Sequence, residues 1–166
     1  MTASPRATPA VGTRLAILKG SDTVAGDNFA SSVAISGSTA VVSARIHPDN
    51  MNTIGRAYVF TRTGSGWKLV AELKGSDTVA GDWFGYSVAI SGTIAVVSAN
   101  PLESSPNTIG RAYLFTKTAT GWKQIAELKG PHMGMFGNSV AISGTTVMVG
   151  APNDNNAAGR AYVFEA

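Results

Sequence analysis

Residues 84–99 read FGYSVAISGTIAVVSA, and near-copies of that line stand at 29–44 (FASSVAISGSTAVVSA) and 136–151 (FGNSVAISGTTVMVGA). Within the middle copy Phe84, Tyr86, Val88 and Ile90 alternate with Gly85, Ser87, Ala89 and Ser91, the period of two that marks a strand whose faces differ in bulk. Ser91-Gly92 then signals a tight turn into residues 94–99, which are apolar on both faces. A sheet with little polar surface on either face has to be covered on both sides.

Working outward, each copy is followed by GRAYVF or GRAYLF, at 55–60, 110–115 and 159–164, and the first two copies close with GWKLVAELKG at 66–75 and GWKQIAELKG at 121–130. The ten residues LKGSDTVAGD occur at 18–27 and again at 73–82, so the first two copies keep one spacing throughout. The third has lost residues only in polar connections, where length changes are tolerated. No stretch has a helical period. The second unit predicts further strands at 111–116 and 122–128, so each unit reads as four short strands. Four-stranded units recurring at this length predict an all-β propeller with three blades per chain, at about 28–75, 83–130 and 135–166. A β-sandwich or small barrel with duplicated hairpins is the alternative, although it would place near-identical units in different environments.

The last unit stops after its third strand, and RLAILKG at 14–20 matches the second half of the closing segments. That segment is the expected latch strand, with residues 1–13 a flexible leader and 14–166 the repeat domain. Three blades alone would curve too far, since propellers hold about four to eight. Two chains would supply six, each N-terminal strand completing the last blade of the other, so the expected partner is a second copy in a homodimer. The competing explanation is a piece of a longer repeat protein.

Composition narrows the function classes. The chain has 166 residues, 44% of them hydrophobic, enough for a packed core. Its 13 Lys and Arg against 10 Asp and Glu give a formal charge of +3 spread thinly along the chain, which argues against a nucleic-acid partner. Cys is absent, excluding disulfides and thiolate chemistry. Neither a signal peptide nor an apolar run long enough for membrane insertion is visible. No nucleophile elbow, glycine-rich phosphate loop or distinctive acid pair is present, so a non-catalytic protein is expected.

The lines FGYSVAISG, AVVSAN or MVGAP, and GRAYVF resemble the FG-GAP repeats of integrin alpha-subunit propellers, and more closely bacterial FG-GAP-type repeats. The third unit is the most literal, with Phe136-Gly137 and Gly150-Ala151-Pro152; the first departs most, with Phe29-Ala30 and Ser43-Ala44-Arg45. The resemblance implies a propeller, an extracellular or cell-surface location, and a recognition or adhesion role for a glycan or protein through loops on one face. It also implies calcium in the turn between first and second strands. Those turns, at 35–39, 90–94 and 142–146, hold no carboxylate, whereas Ca²⁺ takes about six to eight oxygens, several of them charged. No metal or other cofactor is therefore expected.

The candidate binding residues lie in two kinds of connection. Asp22, Asp27, Asp77 and Asp82 recur between units, where they could form a ring of carboxylates for a cation or sugar hydroxyls, or more simply cap turns. The third unit has GPHMGM there, with His132. The divergent connections after the second strands add His47, Asp49, Asn50, Glu103, Asn153, Asp154 and Asn155. A hydrolytic use of His47 with Asp49 is the least favoured reading, and a purely structural or self-assembling module is the alternative to recognition. Trp83 has no counterpart in the other units and stands beside a loop. The in-register Trp67 and Trp122, Tyr58, Tyr113 and Tyr162, and Arg56, Arg111 and Arg160 are expected to pack and brace the blades.

Overall fold

The computed structural model describes residues 8–45, 54–101, 109–130 and 135–166. The first unit forms one antiparallel sheet of β1 (Phe29–Ser36), β2 (Thr39–Ala44), β3 (Arg56–Thr63) and β4 (Gly66–Leu73), in chain order. The second repeats it with β5 (Phe84–Ser91), β6 (Ile94–Ala99), β7 (Arg111–Thr118) and β8 (Gly121–Lys129). The third has β9 (Ser139–Ser143), β10 (Thr146–Ala151) and β11 (Arg160–Glu165), and no fourth strand pairs with β11 among the described residues. Three separate sheets packed one against the next are blades, not the faces of a sandwich or the wall of a barrel.

Tight hairpins follow from Gly at left-handed φ: Gly37, Gly92 and Gly144 sit at φ 56°, 55° and 59° in the turns joining the first two strands of each blade. Each blade then buries an alternate set of side chains against its neighbour. Val41 and Val59 of the first blade pack with Phe84, Val88 and Ile90 of the second. Val96, Ala112 and Leu114 of the second pack with Phe136, Val140 and Ile142 of the third. Burying one such side chain contributes about 1.5–3 kcal/mol, so the blade junctions hold much of the stability.

The strand expected to run evenly from Phe84 is interrupted. Phe84 pairs with Ala99 but Val88 pairs with Val97, and the same shift separates Phe29 from Val33. Tyr86 lies within this bulge and stacks on Trp83, outside the core cluster that holds Val88 and Ile90. A serine staples the bulge: Ser98 Oγ accepts from Ser87 N at 3.0 Å and donates to Ser87 O at 3.3 Å, and Ser43 does the same with Ser32. In the third unit the motif position is Gly150, whose carbonyl accepts from Gly137 N and Asn138 N.

The Phe-Gly step is wedged into the preceding blade. A Cβ on Gly85 would lie 2.7 Å from Arg56 O, and one on Gly55 only 1.8 Å from Phe84 O. The second junction repeats this with Gly137 against Arg111 O at 2.8 Å and Gly110 against Phe136 O at 1.8 Å. Gly85 and Gly137 also need φ near 88° and 89°, and Ala30 at the same place in the first unit is held at φ 68°.

Within one chain the segment 14–20 forms no strand: Leu18 packs against the first blade, while the open edge of β11 belongs to the third. Ala30→Gly is expected to raise stability by about 0.5–1 kcal/mol, the relief of a left-handed Ala less the added freedom of the unfolded chain. Gly55→Ala should cost about 3 kcal/mol or more, since backbone has to move. Urea unfolding midpoints of the two variants check both signs.

Candidate functional site

Both kinds of variable connection emerge at one end of each blade. Ala44 pairs with Phe29 and with Arg56, and Ala57 pairs with Leu73, so β1 and β3 begin where β2 and β4 end. The second blade has the same register, with Phe84, Ala99, Arg111 and Lys129 at that end. Here the inter-unit connections and the divergent loops share a rim. His47, Asp49, Asn50, Glu103 and His132 lie outside the described residues.

At this rim an Arg, an Asp and a Tyr meet in every blade. In the first, Tyr58 Oη donates to Asp22 Oδ1 at 2.7 Å, Arg56 pairs with the other oxygen of Asp22, and Arg56 Nε lies 3.1 Å from Glu72 Oε1. In the second, Tyr113 Oη donates to Asp77 Oδ1 at 2.8 Å, Arg111 lies 3.4 Å from Asp77 and 3.7 Å from Asp82, and its Nε is 3.2 Å from Glu127. Each Arg thus ties the incoming connection to the fourth strand of its own blade. Asp27 Oδ2 and Asp82 Oδ2 accept from Val24 N and Val79 N, both at 2.9 Å, closing three-residue turns. The four recurrent carboxylates are thus engaged in bonds within the chain.

The third blade reaches the same arrangement by another route. Its inter-unit stretch lacks the GSDTVAGD line, and Asp154, from the loop between β10 and β11, bonds Tyr162 and lies 3.5 Å from Arg160 Nη1. Asp154 is buried, and Asn155, Asn156 and Ala157 follow it at left-handed φ of 54°, 58° and 64°. Asn is tolerant of that region, consistent with a loop bent to deliver the carboxylate. Asn153 donates from Nδ2 to Met135 Sδ at 3.0 Å. The role of Asp154 was hidden in the sequence because it comes from a different connection; the only signal was a lone acid in a shortened loop.

These contacts shift the titrations. The Tyr58 hydroxyl, against the opposing effect of burial and with Arg56 adding to it, holds Asp22 below the ordinary carboxylate range. Burial pushes Asp77 up, but the Tyr113 hydroxyl and Arg111 outweigh it, leaving it also lowered. Burial, then the bond to Asp22, pushes Tyr58 up to about 12, and burial raises Tyr113 as well.

The aromatic side chains pack in register. Phe29, Phe84 and Phe136 meet Tyr58, Tyr113 and Tyr162 at 5.7, 5.5 and 5.6 Å between centroids. Trp67 packs against the cluster of Ala40, Val42, Ala44, Tyr58 and Phe60, and Trp122 lines a groove of about 460 Å³ with Leu73, Phe115 and Gln124. Trp83 is different. It sits at φ 51°, the backbone shape that Asn28 and Met135 adopt at equal positions, and stacks on Tyr86 at 6.4 Å with the planes 8° apart. Arg45 Cζ lies 4.8 Å from the Tyr86 ring centre and 5.5 Å from that of Trp83, a cation–π contact across the first junction. Trp83 and Tyr86 are both half-buried. In the second unit, Asn100 stands where Arg45 does in the first; it is buried, with no hydrogen-bond partner for its Nδ2 among the described residues.

The turns implied to hold calcium do not fit that ion. They are two-residue hairpins without a carboxylate, and the Ser36 and Ser91 hydroxyls beside them accept from Gly92 N and Gly144 N of the next blade. Among the described residues no group of three or more His, Asp or Glu could hold a metal ion.

Tyr58 and Tyr113 bind their protons more tightly folded than unfolded, where a tyrosine titrates near 10. Their contribution is complete below about pH 10 and lost as pH rises toward 12 and beyond, so stability should fall there. Tyr58→Phe should flatten that fall, as read from chemical denaturation at stepped pH. Asp154→Ala should cost about 1–3 kcal/mol at neutral pH, because it strips a buried carboxylate from Tyr162 and Arg160.

A family model described as FG-GAP repeat matches the chain in three segments, 13–60, 67–115 and 130–164. A search of curated proteins found no match. Each matched segment ends on the third strand of a blade, and the second begins on β4 of the blade before it; together they cover most of the chain, which therefore belongs to the FG-GAP repeat family.

Proposed function

We propose that this protein is a non-catalytic recognition or adhesion module that binds a glycan or a protein surface through the loop rim of its blades, outside the cell or at its surface. FG-GAP repeats are found in integrin-like adhesion and recognition modules, and that family setting supports both the role and the location. The observation that carries the reading is the gathering of the divergent connections at one end of every blade, on strands fixed by the Arg–Asp–Tyr contacts. A rigid base under variable loops is the usual arrangement for binding.

Within that rim the Trp83–Tyr86 pair with Arg45 is the part best suited to contact. An aromatic ring offers a flat apolar face to a sugar or a side chain, and here the stacking partner and the guanidinium hold it in place before binding. Sequence reasoning singled out Trp83 but not Tyr86 or Arg45. The reading assigns no metal and no catalytic group. A structural or self-assembling module is the second reading, favoured by the uncovered faces of the outer blades.

Glycan-array screening, followed by affinity measurement with Trp83→Ala, tests the proposal. Loss of at least tenfold in affinity, with the β-sheet circular dichroism unchanged, is the expected outcome. Undiminished binding would remove Trp83 from the site. Failure to bind any glycan or any extracellular-matrix protein would favour the structural reading.

A further inference from the structure

The chain makes one kind of interface twice inside itself and leaves the apolar halves of a third uncovered, with Ala30 where Gly85 and Gly137 approach the preceding blade. At the first junction Val41, Ala57 and Val59 are 0% exposed against Val88 and Ile90, themselves 6% and 8% exposed. At the second, Val96, Ala112 and Leu114 are 0% exposed. The same register positions on the third blade are Met148, Ala161 and Val163, and there Met148 is 46% and Val163 63% exposed. On the opposite side of the first blade Val33 and Ile35, the counterparts of Val88 and Ile90, are each 64% exposed.

The polar contacts of the junction also recur. Ser32 Oγ accepts from Val88 N at 3.1 Å and Ser36 Oγ from Gly92 N at 3.0 Å; Ser87 and Ser91 do the same for Val140 N and Gly144 N, at 3.3 and 3.0 Å. The third blade carries Ser139 and Ser143 at those positions, and the first carries the matching amides of Val33 and Gly37.

The path of residues 14–22 points to the same place. After β4, Gly75 and Asp77 dock on Tyr113 of the next blade, where a Gly75 Cβ would lie 2.8 Å from Tyr113 Cζ. Gly20 and Asp22 dock on Tyr58 in the same way, with a Gly20 Cβ 3.0 Å from Tyr58 Cζ. Leu18 corresponds to Leu73, so residues 14–20 come from where the fourth strand of a preceding blade would lie. Leu15 and Ile17 there are 60% and 70% exposed.

We infer that a second copy of this chain supplies that preceding blade. The outer face of the third blade of one copy, Met148, Ala161 and Val163, seats Val33 and Ile35 of the other, and residues 14–20 pair with β11 of that neighbour as its missing strand. The register follows from Ala57↔Leu73 and Val59↔Ala71, repeated as Ala112↔Leu128 and Leu114↔Ala126. It sets Ala161 opposite Leu18 and Val163 opposite Ala16 of the partner. Two such contacts related by a two-fold axis close a ring of six blades, within the about four to eight that propellers use, and hide both open faces and both open edges. The inference goes beyond recognition and does not depend on what the loops bind.

Because the chain has no Cys, an Ala16→Cys/Val163→Cys double variant reads the register directly. Directly opposed residues of an antiparallel pair stand about 4.5–5.5 Å apart, within disulfide reach. After oxidation, a non-reducing gel should show a species of twice the 17.0 kDa chain mass, which each single variant lacks. Light scattering of the unmodified protein should give the same doubled mass across a dilution series. A persistent 17.0 kDa species, a disulfide closed within one chain, or a ladder of higher oligomers would overturn the closed ring. Val163→Glu, at a position exposed in the single chain, should keep the sheet spectrum and give the single-chain mass; an unchanged doubled mass would overturn the assignment of that face.

Discussion

The Phe-Gly step of one blade lying against the Gly-Arg step of the blade before it is the contact on which the rest of the structure depends. At the first junction two backbones approach so closely that neither Gly55 nor Gly85 has room for a side chain, and at the second Gly110 and Gly137 repeat the fit. That approach sets Phe84 and Phe136 beneath the tyrosines of their own blades and brings the apolar faces of neighbouring sheets into contact. It costs positive φ at the residue after each Phe. Glycine adopts that shape freely, and Ala30 occupies it only at the one copy that has no preceding blade within the chain.

The Arg–Asp–Tyr contacts at the loop rim solve a separate problem. A chain leaving one blade for the next has to be fixed at its landing point, and Asp22 and Asp77 do this by accepting from a tyrosine while pairing with an arginine. In the third unit, which has no such inter-unit line, Asp154 reaches the equivalent pair, Arg160 and Tyr162, from another connection. The arrangement therefore serves the blade, whatever connection supplies the carboxylate. Bonds of this kind, partly screened at the surface, contribute modestly each; their main effect is to hold loop roots in one geometry.

Much of the fold was legible from particular residues. The alternation beginning at Val88, the Ser-Gly turns and the recurrence of GRAYVF placed every strand within a few residues, because hairpins and sheet faces are local consequences of side-chain order. The interruption at residues 85–87 was not legible. A bulge is decided by what the strand meets in the neighbouring blade, and so the alternation that groups Tyr86 with Val88 and Ile90 did not show its stacking on Trp83. The same applies to the rim: Asp27 and Asp82 could be read as turn-closing residues from spacing alone, whereas the pairing of Asp22 with Tyr58, 36 positions away, could not.

The sequence by itself determined that this is an all-β repeat protein of three units, which positions are equivalent, and that the third unit differs in its acidic residues. Repetition determines these because identical segments seek identical packing. Only the tertiary structure decided which side of each strand faces the neighbouring blade, which carboxylate serves which arginine, and which equivalent positions lie open. Those depend on contacts between residues distant in the chain, and the same Val or Ser is buried or exposed according to whether a blade stands beside it.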